Sequence, residues 1–583
     1  MMLQALIAYA EREKLGDADF EAVGVRWLIP LDGQGKLAGG PIPLSENPDD
    51  KKPRPKQMLR PFTSPNELNQ GTKSHFLCDT LERATLLLDP KGAEVAEAKR
   101  VQHRYFEELL REAAAGCPDD SGRLLAVLSF LHDPEAVAKL HGQLNSLKAK
   151  LSDNATFAVD GINLLDSESL KGFWRSRRRR SPQAAAARER RICVATGELA
   201  DTLDTTEKIR GVPGGLAMGT NLISFDKDSF CSFGLEQAQN AALSPPAELK
   251  IRSALNRLIA CGLRIQGTVY LHWTRKPIEH DPFDLLASPD ENAVAALITS
   301  IRSGQPPVPP DANAYYALSL SGNGARVVVR DWLESTVPEV ERHVAEWFQD
   351  LGVVPPDGAG VKRDFKFGAL LYGMVRAELA ELPPQIPTQI LHGALCGRSV
   401  PLPQSALAAA LRRQQLDQEN KLNPARLALI KACLLRSPNS PNNKSQTKEK
   451  PMTECLHPES RDPAYLCGRL FAVFDRLQYL ALGGVNAGVV ERYYASASTT
   501  PALVMGRLFR NAQFHLAKAE GGVAGNATKD FEAITCALGD QFPATLDLEG
   551  QGRFALGYYH QKADYRRRSA ERKEAEAEAK ASK

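Results

Sequence analysis

RSPNSPNNKSQTKEKP, Arg436 to Pro451, divides the chain and decides how its fold is read. The stretch is polar, carries three prolines and holds no apolar residue for a core. Too little surface can be buried there to offset the entropy of ordering, so the composition predicts a flexible linker over 436–451. Beyond it the punctuation is that of helices. Asp462-Pro463 sets an N-cap before a proline at the first helical position, and Gly483-Gly484 ends the run. Between them Leu466, Leu470, Val473, Phe474 and Leu477 fall on one apolar stripe. Thr500-Pro501 repeats the start, with Gly521-Gly522 as its stop. Helices around Val485 to Ala497, Lys529 to Leu538 and Leu548 to Ala563 complete a bundle within 452–583. The last residues read as a charged helical extension or a frayed tail.

Before the linker the hydrophobic period alternates between strand and helix. VGVRWLIPLD, Val23 to Asp32, reads as one strand ahead of a glycine-rich turn. The polar stretch from Asn47 reads as a long exposed loop that enters ordered structure near Phe76, and Glu94 to Leu151 is helical in pattern. RICVATGE, NLISFD and GTVYLHWT read as short strands, with GVPGG (Gly211 to Gly215) between the first two. YYALSLSG and ARVVVRDW predict a hairpin across Gly322-Asn323-Gly324, and Val337 to Leu435 is mainly helical. The fold class expected is α+β: a mixed α/β N-terminal region, in segments 1–170 and 190–435, followed by a C-terminal all-α helical bundle.

A chain of 583 residues, 43% hydrophobic and 25% charged, is too long for one core. No apolar run approaches the roughly 20 residues of a membrane helix. MMLQALIAYAEREK lacks the basic start of a signal peptide and reads as an amphipathic helix, with Leu3, Leu6, Ile7 and Ala10 on one stripe. The ten cysteines include no CxxC pair; several, such as Cys261 and Cys467, sit in apolar helical patterns. They read as buried, reduced thiols of a cytoplasmic protein. Eleven histidines include no HxH or HExxH, and GVPGG is not followed by GK[ST]. No cofactor, metal or catalytic site is predicted.

Net charge is only +3, but it is unevenly placed. Lys171 to Arg191 holds nine basic residues against Glu189 alone, a local +8, so the rest of the chain carries −5. Basicity of this kind fits contact with a polyanion at particular places. Arg175, Arg177, Arg178, Arg179 and Arg180, followed by Pro182 to Ala187, predict a mobile segment suited to phosphates, although a solvated charge run has the same composition. Arg469 and Arg476 lie seven apart on one helix face, while Arg507, Arg510 and Lys518 line another. With Arg492, and with Lys208 and Arg210 before GVPGG, they make up the expected backbone contacts. The loop from Arg60 to Ser74 differs in kind. Asn66, Asn69 and Gln70 can read base edges, Gly71 permits close backbone approach, and Thr72 and Lys73 complete the motif-recognition set with Arg60.

LQALIAYAER and VRWLIPLD, then HFLCDT, CVATGE, IRGVPGG, NLISFDKDSFCSFGLEQAQN, LSLSGNGARVVVRDW, RLALIKACLLR, RDPAYLCGRLFAVFDRLQ, SASTTPAL, HLAK and QGRFALGYYHQ follow in order. In content and spacing these segments resemble the large subunits of type I-C CRISPR Cascade surveillance complexes, over nearly the whole chain. HFLCDT continues here as LERATLLLD, a departure from the family ending that weakens residue transfer around Asp79.

The resemblance implies a non-catalytic, RNA-guided DNA-binding subunit. Guide RNA would read the target by pairing, while this chain reads the protospacer-adjacent motif in double-stranded DNA and helps open the strands. Its helical C-terminal region would act like a Cascade small subunit in stabilising the R-loop. Partners would be guide RNA, target DNA, backbone and small subunits and a helicase-nuclease effector, with no membrane. A nuclease of the same defence system and a pure assembly scaffold are the alternatives. The resemblance further implies that 452–583 is also made separately from an internal start at Met452, since type I-C systems obtain their small subunit in this way. That fragment holds 17 Lys and Arg against 16 Asp and Glu, and Lys448-Glu449 can be encoded by a purine-rich ribosome-binding sequence.

Overall fold

A computed structural model describes residues 2–15, 19–45, 54–63, 68, 71–87, 97–179, 190–302, 313–417, 421–438, 452–518, 522–539 and 542–581. They form two compact units, Met1–Cys261 with Gly322–Val327, and Gly262–Ser321 with Val328–Lys583. The architecture is mixed α+β with a helical C-terminal region.

The first unit begins with helix α1 (Met2–Arg12), followed by β1 (Phe20–Val25), β2 (Trp27–Leu31), β3 (Ile42–Pro43), β4 (Lys56–Pro61) and β5 (Cys78–Thr80). VGVRWLIPLD is therefore two strands. Its break falls at Arg26, whose N–H donates to Asn154 O, so that β1 pairs with β4 while β2 joins another sheet. Helices α2 (Leu81–Ala84), α3 (Glu97–Gly116), α4 (Pro118–Leu131) and α5 (Pro134–Ser146) precede β6 (Asn154–Val159) and β7 (Ile162–Asn163). Asp133 caps α5 by accepting from the N–H groups of Glu135 and Ala136, ahead of a proline at the first position. The sheet order is β3-β2-β6-β5, with β7 on β6 and only β2–β6 parallel. Trp27, Ile29 and Phe157 bury against Phe106, Leu110, Val127 and Phe130 from α3 and α4.

Helix α6 (Glu168–Arg179) follows, then the ribbon β8 (Arg190–Ile192) and β9 (Leu199–Asp201), and α7 (Pro245–Cys261). The strand expected at NLISFD does not form. Its one ladder contact is a bridge from Asn221 to Arg326, where Asn221 N donates to Ala325 O and Val327 N donates to Asn221 O. GVPGG packs against the same tip, Gly322–Val327, of the predicted hairpin. Gly322 N donates to Pro213 O, and a side chain at Gly322 would collide with the backbone of Gly215.

In the second unit β10 (Leu263–Ile265), β11 (Thr268–Thr274), β12 (Ala314–Asn323) and β13 (Arg326–Thr336) form a sheet in that order. Helices α8 (Pro282–Ala287), α9 (Glu291–Arg302), α10 (Val337–Leu351), α11 (Phe367–Tyr372), α12 (Gln385–Cys396), α13 (Gln404–Leu416) and α14 (Pro424–Leu435) build its main core, with Trp347, Phe348 and Ile430 at the centre. Arg436, expected to open the linker, is buried instead, its Nε 2.8 Å from Asp350 Oδ2. Residues 439–451 of that expected linker lie outside the described residues.

The C-terminal helices are α15 (Pro463–Leu482), α16 (Val489–Thr499), α17 (Pro501–Lys518), α18 (Gly522–Leu538) and α19 (Leu548–Ala581). Asp462 Oδ1 accepts from Tyr465 N at 2.7 Å, so the N-cap read from Asp462-Pro463 forms, and Gly483 ends α15 at φ +67°. Gly468 and Gly557 let α15 and α19 touch backbone to backbone: a side chain at Gly468 would strike Phe554 O, and one at Gly557 would strike Tyr465 O. One side of α19 joins the bundle core through Phe554 and Tyr558. Another side, with Leu556 and Tyr559, belongs to the core that α14 helps build, and Tyr559 Oη donates to Val354 O at 2.7 Å. Among the described residues no helix is long and apolar enough to cross a membrane.

Candidate nucleic-acid interface

Arg60 is a correction to the expected motif set. β1–β4 pairing puts it opposite Glu21, and its Nη2 lies 2.7 Å from Glu21 Oε1 with only 3% of the residue exposed. Burial opposes the guanidinium charge, but Glu21, backed by Cys78 and Asp79, outweighs it and holds Arg60 above the usual arginine range. His75 lies beside the pair; burial, helped by Arg60, Arg210 and Arg83, keeps its imidazole far below the ordinary histidine range and therefore neutral. Asp79, fully buried, accepts from His75 N at 2.8 Å and Thr80 N at 2.7 Å. HFLCDT thus closes on itself. Gly71 stands at φ +74° with open space where a side chain would be, Thr72 is exposed and Lys73 half-buried. Asn66, Asn69 and Gln70 lie outside the described residues.

The arginine run is the second correction. Instead of a mobile segment, it is helical through Arg179, since arginine is a good helix former and the helix has partners on its inner side. Arg175 lies 5.2 Å over the Phe20 ring, and Arg177 Nε donates to Glu112 at 2.9 Å. Arg178 pairs with Asp19 at 3.0 Å, donates to Phe62 O at 2.8 Å and covers the Phe62 ring at 5.0 Å. Arg252 of α7 covers that ring at the same distance. The Arg179 side chain and Arg180 fall outside the described residues. The structure therefore gathers Arg175, Arg178 and Arg252 at the root of the loop that starts after Phe62. Arg210 is exposed and near enough to act on His75, and Lys208 is half-buried.

A third group was not read from the sequence. Leu216, Met218, Phe230 and Phe233 are exposed in the segment between β9 and α7. Phe233 is fully exposed at φ +54°, and Arg326 from the hairpin tip covers Phe230 at 4.6 Å while pairing with Asp226. The signal available was a run of aromatics too irregular in spacing for a core stripe.

In the second unit Arg469 is a further correction. Only 5% exposed, it donates from Nε to Gln561 Oε1 at 3.0 Å and from Nη1 to Pro458 O at 3.2 Å. Burial pulls its guanidinium below the usual range. Arg476, one heptad on, is half-buried over Tyr479 and Tyr565, so the two do not form one open face. Arg492, Arg507, Arg510 and Lys518 are exposed as expected. On α17 the steps from Leu503 to Arg507, Arg510, Phe514 and Lys518 are of three or four residues, which is one helix face. Leu503 is 81% and Phe514 66% exposed. Helical register could have found both, because they fall outside the buried stripe Val504, Met505, Leu508 and Ala512.

Cys261 is exposed at the end of α7, against the expectation of burial. Among the described residues no three His, Cys, Asp or Glu side chains converge as metal ligands.

The segments quoted in the sequence, set in this α+β and helical architecture, are those of a CRISPR-associated protein. The chain belongs to the Csd family, whose model, CRISPR-associated protein (Cas_Csd1), matches residues 6–566. No curated protein matches the chain.

Proposed function

We propose that this chain is the large subunit of a type I-C Cascade complex: it reads the motif flanking the target, helps open the duplex, holds the displaced strands and presents the complex to a helicase-nuclease, without a catalytic site of its own. The observation that carries this reading is the convergence of Arg178 and Arg252 on the Phe62 ring, with Arg175 over Phe20, at the root of the Arg60–Lys73 loop. A root fixed in this way can hold the two ends of the loop while its amide side chains read base edges. Asn69 and Gln70 remain the residues proposed for that readout. Exposed Phe230 and Phe233, with Arg326, supply apolar groups able to enter an opened step.

On α17 the stripe of Arg507, Arg510 and Lys518 interleaved with Leu503 and Phe514 suits a single strand, with cations for phosphates and a ring for base stacking. Separate production of 452–583 from Met452 is part of the same reading. A free copy would expose Leu556 and Tyr559, which here are buried in the core shared with α14, so it would need a partner surface in the complex.

The test is binding of the guide-loaded complex to targets with correct and altered flanking motifs. Asn69→Ala and Gln70→Ala are expected to shrink the discrimination by about 1–3 kcal/mol per lost bidentate contact. Unchanged discrimination in both variants contradicts the assignment of the loop.

A further inference from the structure

Cys396 ends α12, and one turn earlier on the same face stands His392. Cys396 Sγ is 3.4 Å from His392 Nε2, and His392 Nδ1 is 2.7 Å from Asp331 Oδ2 on β13. With a carboxylate at Nδ1 that nitrogen must donate, which leaves Nε2 to take the thiol proton. The three side chains are each only partly buried, so the sulfur can be approached. This is the nucleophile–base–orienting-acid order of a triad, assembled from two elements of the second unit. Hydrogen bonds to Asp331 and to Cys396 push His392 up to about 10, so the ring is cationic at neutral pH. Among the described residues nearby, Tyr270 of β11 feels the Asp331 charge, His343 of α10 is bonded through Nδ1 to Leu395 O, and Arg398 is held by Asp350 beyond the helix end.

We propose that Cys396, His392 and Asp331 form a nucleophilic thiol site that takes small disulfides. Cys396 Sγ attacks one sulfur of the disulfide, the new S–S bond forms as the old one breaks, and the departing thiolate takes the proton from His392 Nε2. One disulfide is consumed and one mixed disulfide and one thiol are produced, so electrons balance without a further oxidant. Asp331 acts as a positioning residue. The other cysteines provide controls. Cys78, Cys433 and Cys467 are buried, and burial raises each to about 12. Burial would raise Cys193 as well, but bonds from Ser244, Thr196 and Ala195 bring it down to about 7; it is fully enclosed and closed to attack. Cys261, Cys455 and Cys536 are exposed.

The experiment treats the full chain with oxidised glutathione, and separately with iodoacetamide from pH 5 to 8, and reads each cysteine by peptide mass spectrometry. At pH 6 Cys396 is expected to react about 10-fold faster than Cys261, Cys455 and Cys536, and to form the mixed disulfide first. His392→Gln, close in volume, should bring Cys396 to the exposed thiols' rate. Asp331→Asn should slow Cys396 without abolishing reaction. Equal rates for Cys396 and the exposed cysteines at pH 6, no change in His392→Gln, or Cys193 reacting first would each overturn the proposal.

Discussion

Two helices, α6 and α17, use arginine in opposite ways. On α6 the guanidiniums turn inward, over Phe20 and Phe62 and onto Asp19 and Glu112. On α17 Arg507 and Arg510 stand in solvent beside an exposed Phe514. Density of charge in the sequence favoured α6 as the freer of the two, and the structure reverses that order. A helix beside acids and aromatic rings folds its arginines onto them. One whose buried stripe is already filled by Val504, Met505 and Leu508 has no inner use for its own.

The largest effect that distinguishes inward from outward arginines is on stability. Arg60→Ala leaves Glu21, 12% exposed, without its partner and should cost the first unit about 3 kcal/mol, read by denaturant unfolding followed through Trp27 and Trp174. Arg507→Ala should change the second unit by less than about 0.5 kcal/mol. Equal costs would erase the distinction.

Acid should act on the inward side as well. His560, fully buried with Lys431 and Arg469 near it, is lowered to about 3, while its Nδ1 lies 3.0 Å from Tyr465 Oη. An unfolded histidine takes its proton near pH 6.5, so between about 6.5 and about 3 the unfolded state binds more protons than the folded one. The stability of the second unit is therefore present above pH 6.5 and falls as the pH drops through that window. His560→Asn should remove part of that slope; an unaltered profile would mean other groups govern it.

On the outward side, Phe514→Ala should weaken single-strand binding by about 1–3 kcal/mol for one lost stacked base, with folding intact. Replacing Arg507, Arg510 and Lys518 together by Ala should lower the salt-dependence slope of that binding by up to about 2. Identical slopes in variant and parent would mean that these cations stay hydrated.

Much of the fold was legible because its signals are local. Asp462-Pro463, the stripe Leu466 to Leu477 and the turn at Gly322-Asn323-Gly324 each act within a few residues. What was missed depends on partners distant in the chain. Arg26 breaks a strand for Asn154, Asn221 gives up its strand to the hairpin tip, and Arg469 is drawn inward by Gln561. The triad of Asp331, His392 and Cys396 joins residues up to 65 positions apart, and neither spacing nor composition announces it. The candidate interface was legible as residue types but not as exposure, because burial of a long cation is settled by whichever acid or ring the fold brings to it.

We propose a division of labour, with the Arg60–Lys73 loop of the first unit reading the flanking motif and the α17 stripe holding strand without regard to sequence. Its most direct measurement is the ratio of affinities of the guide-loaded complex for correct and altered flanking motifs, in two variants side by side. Asn69→Ala with Gln70→Ala should collapse that ratio. Arg507→Ala with Arg510→Ala should weaken both affinities equally and leave the ratio as it was. A ratio that survives the first pair, or collapses with the second, contradicts the account.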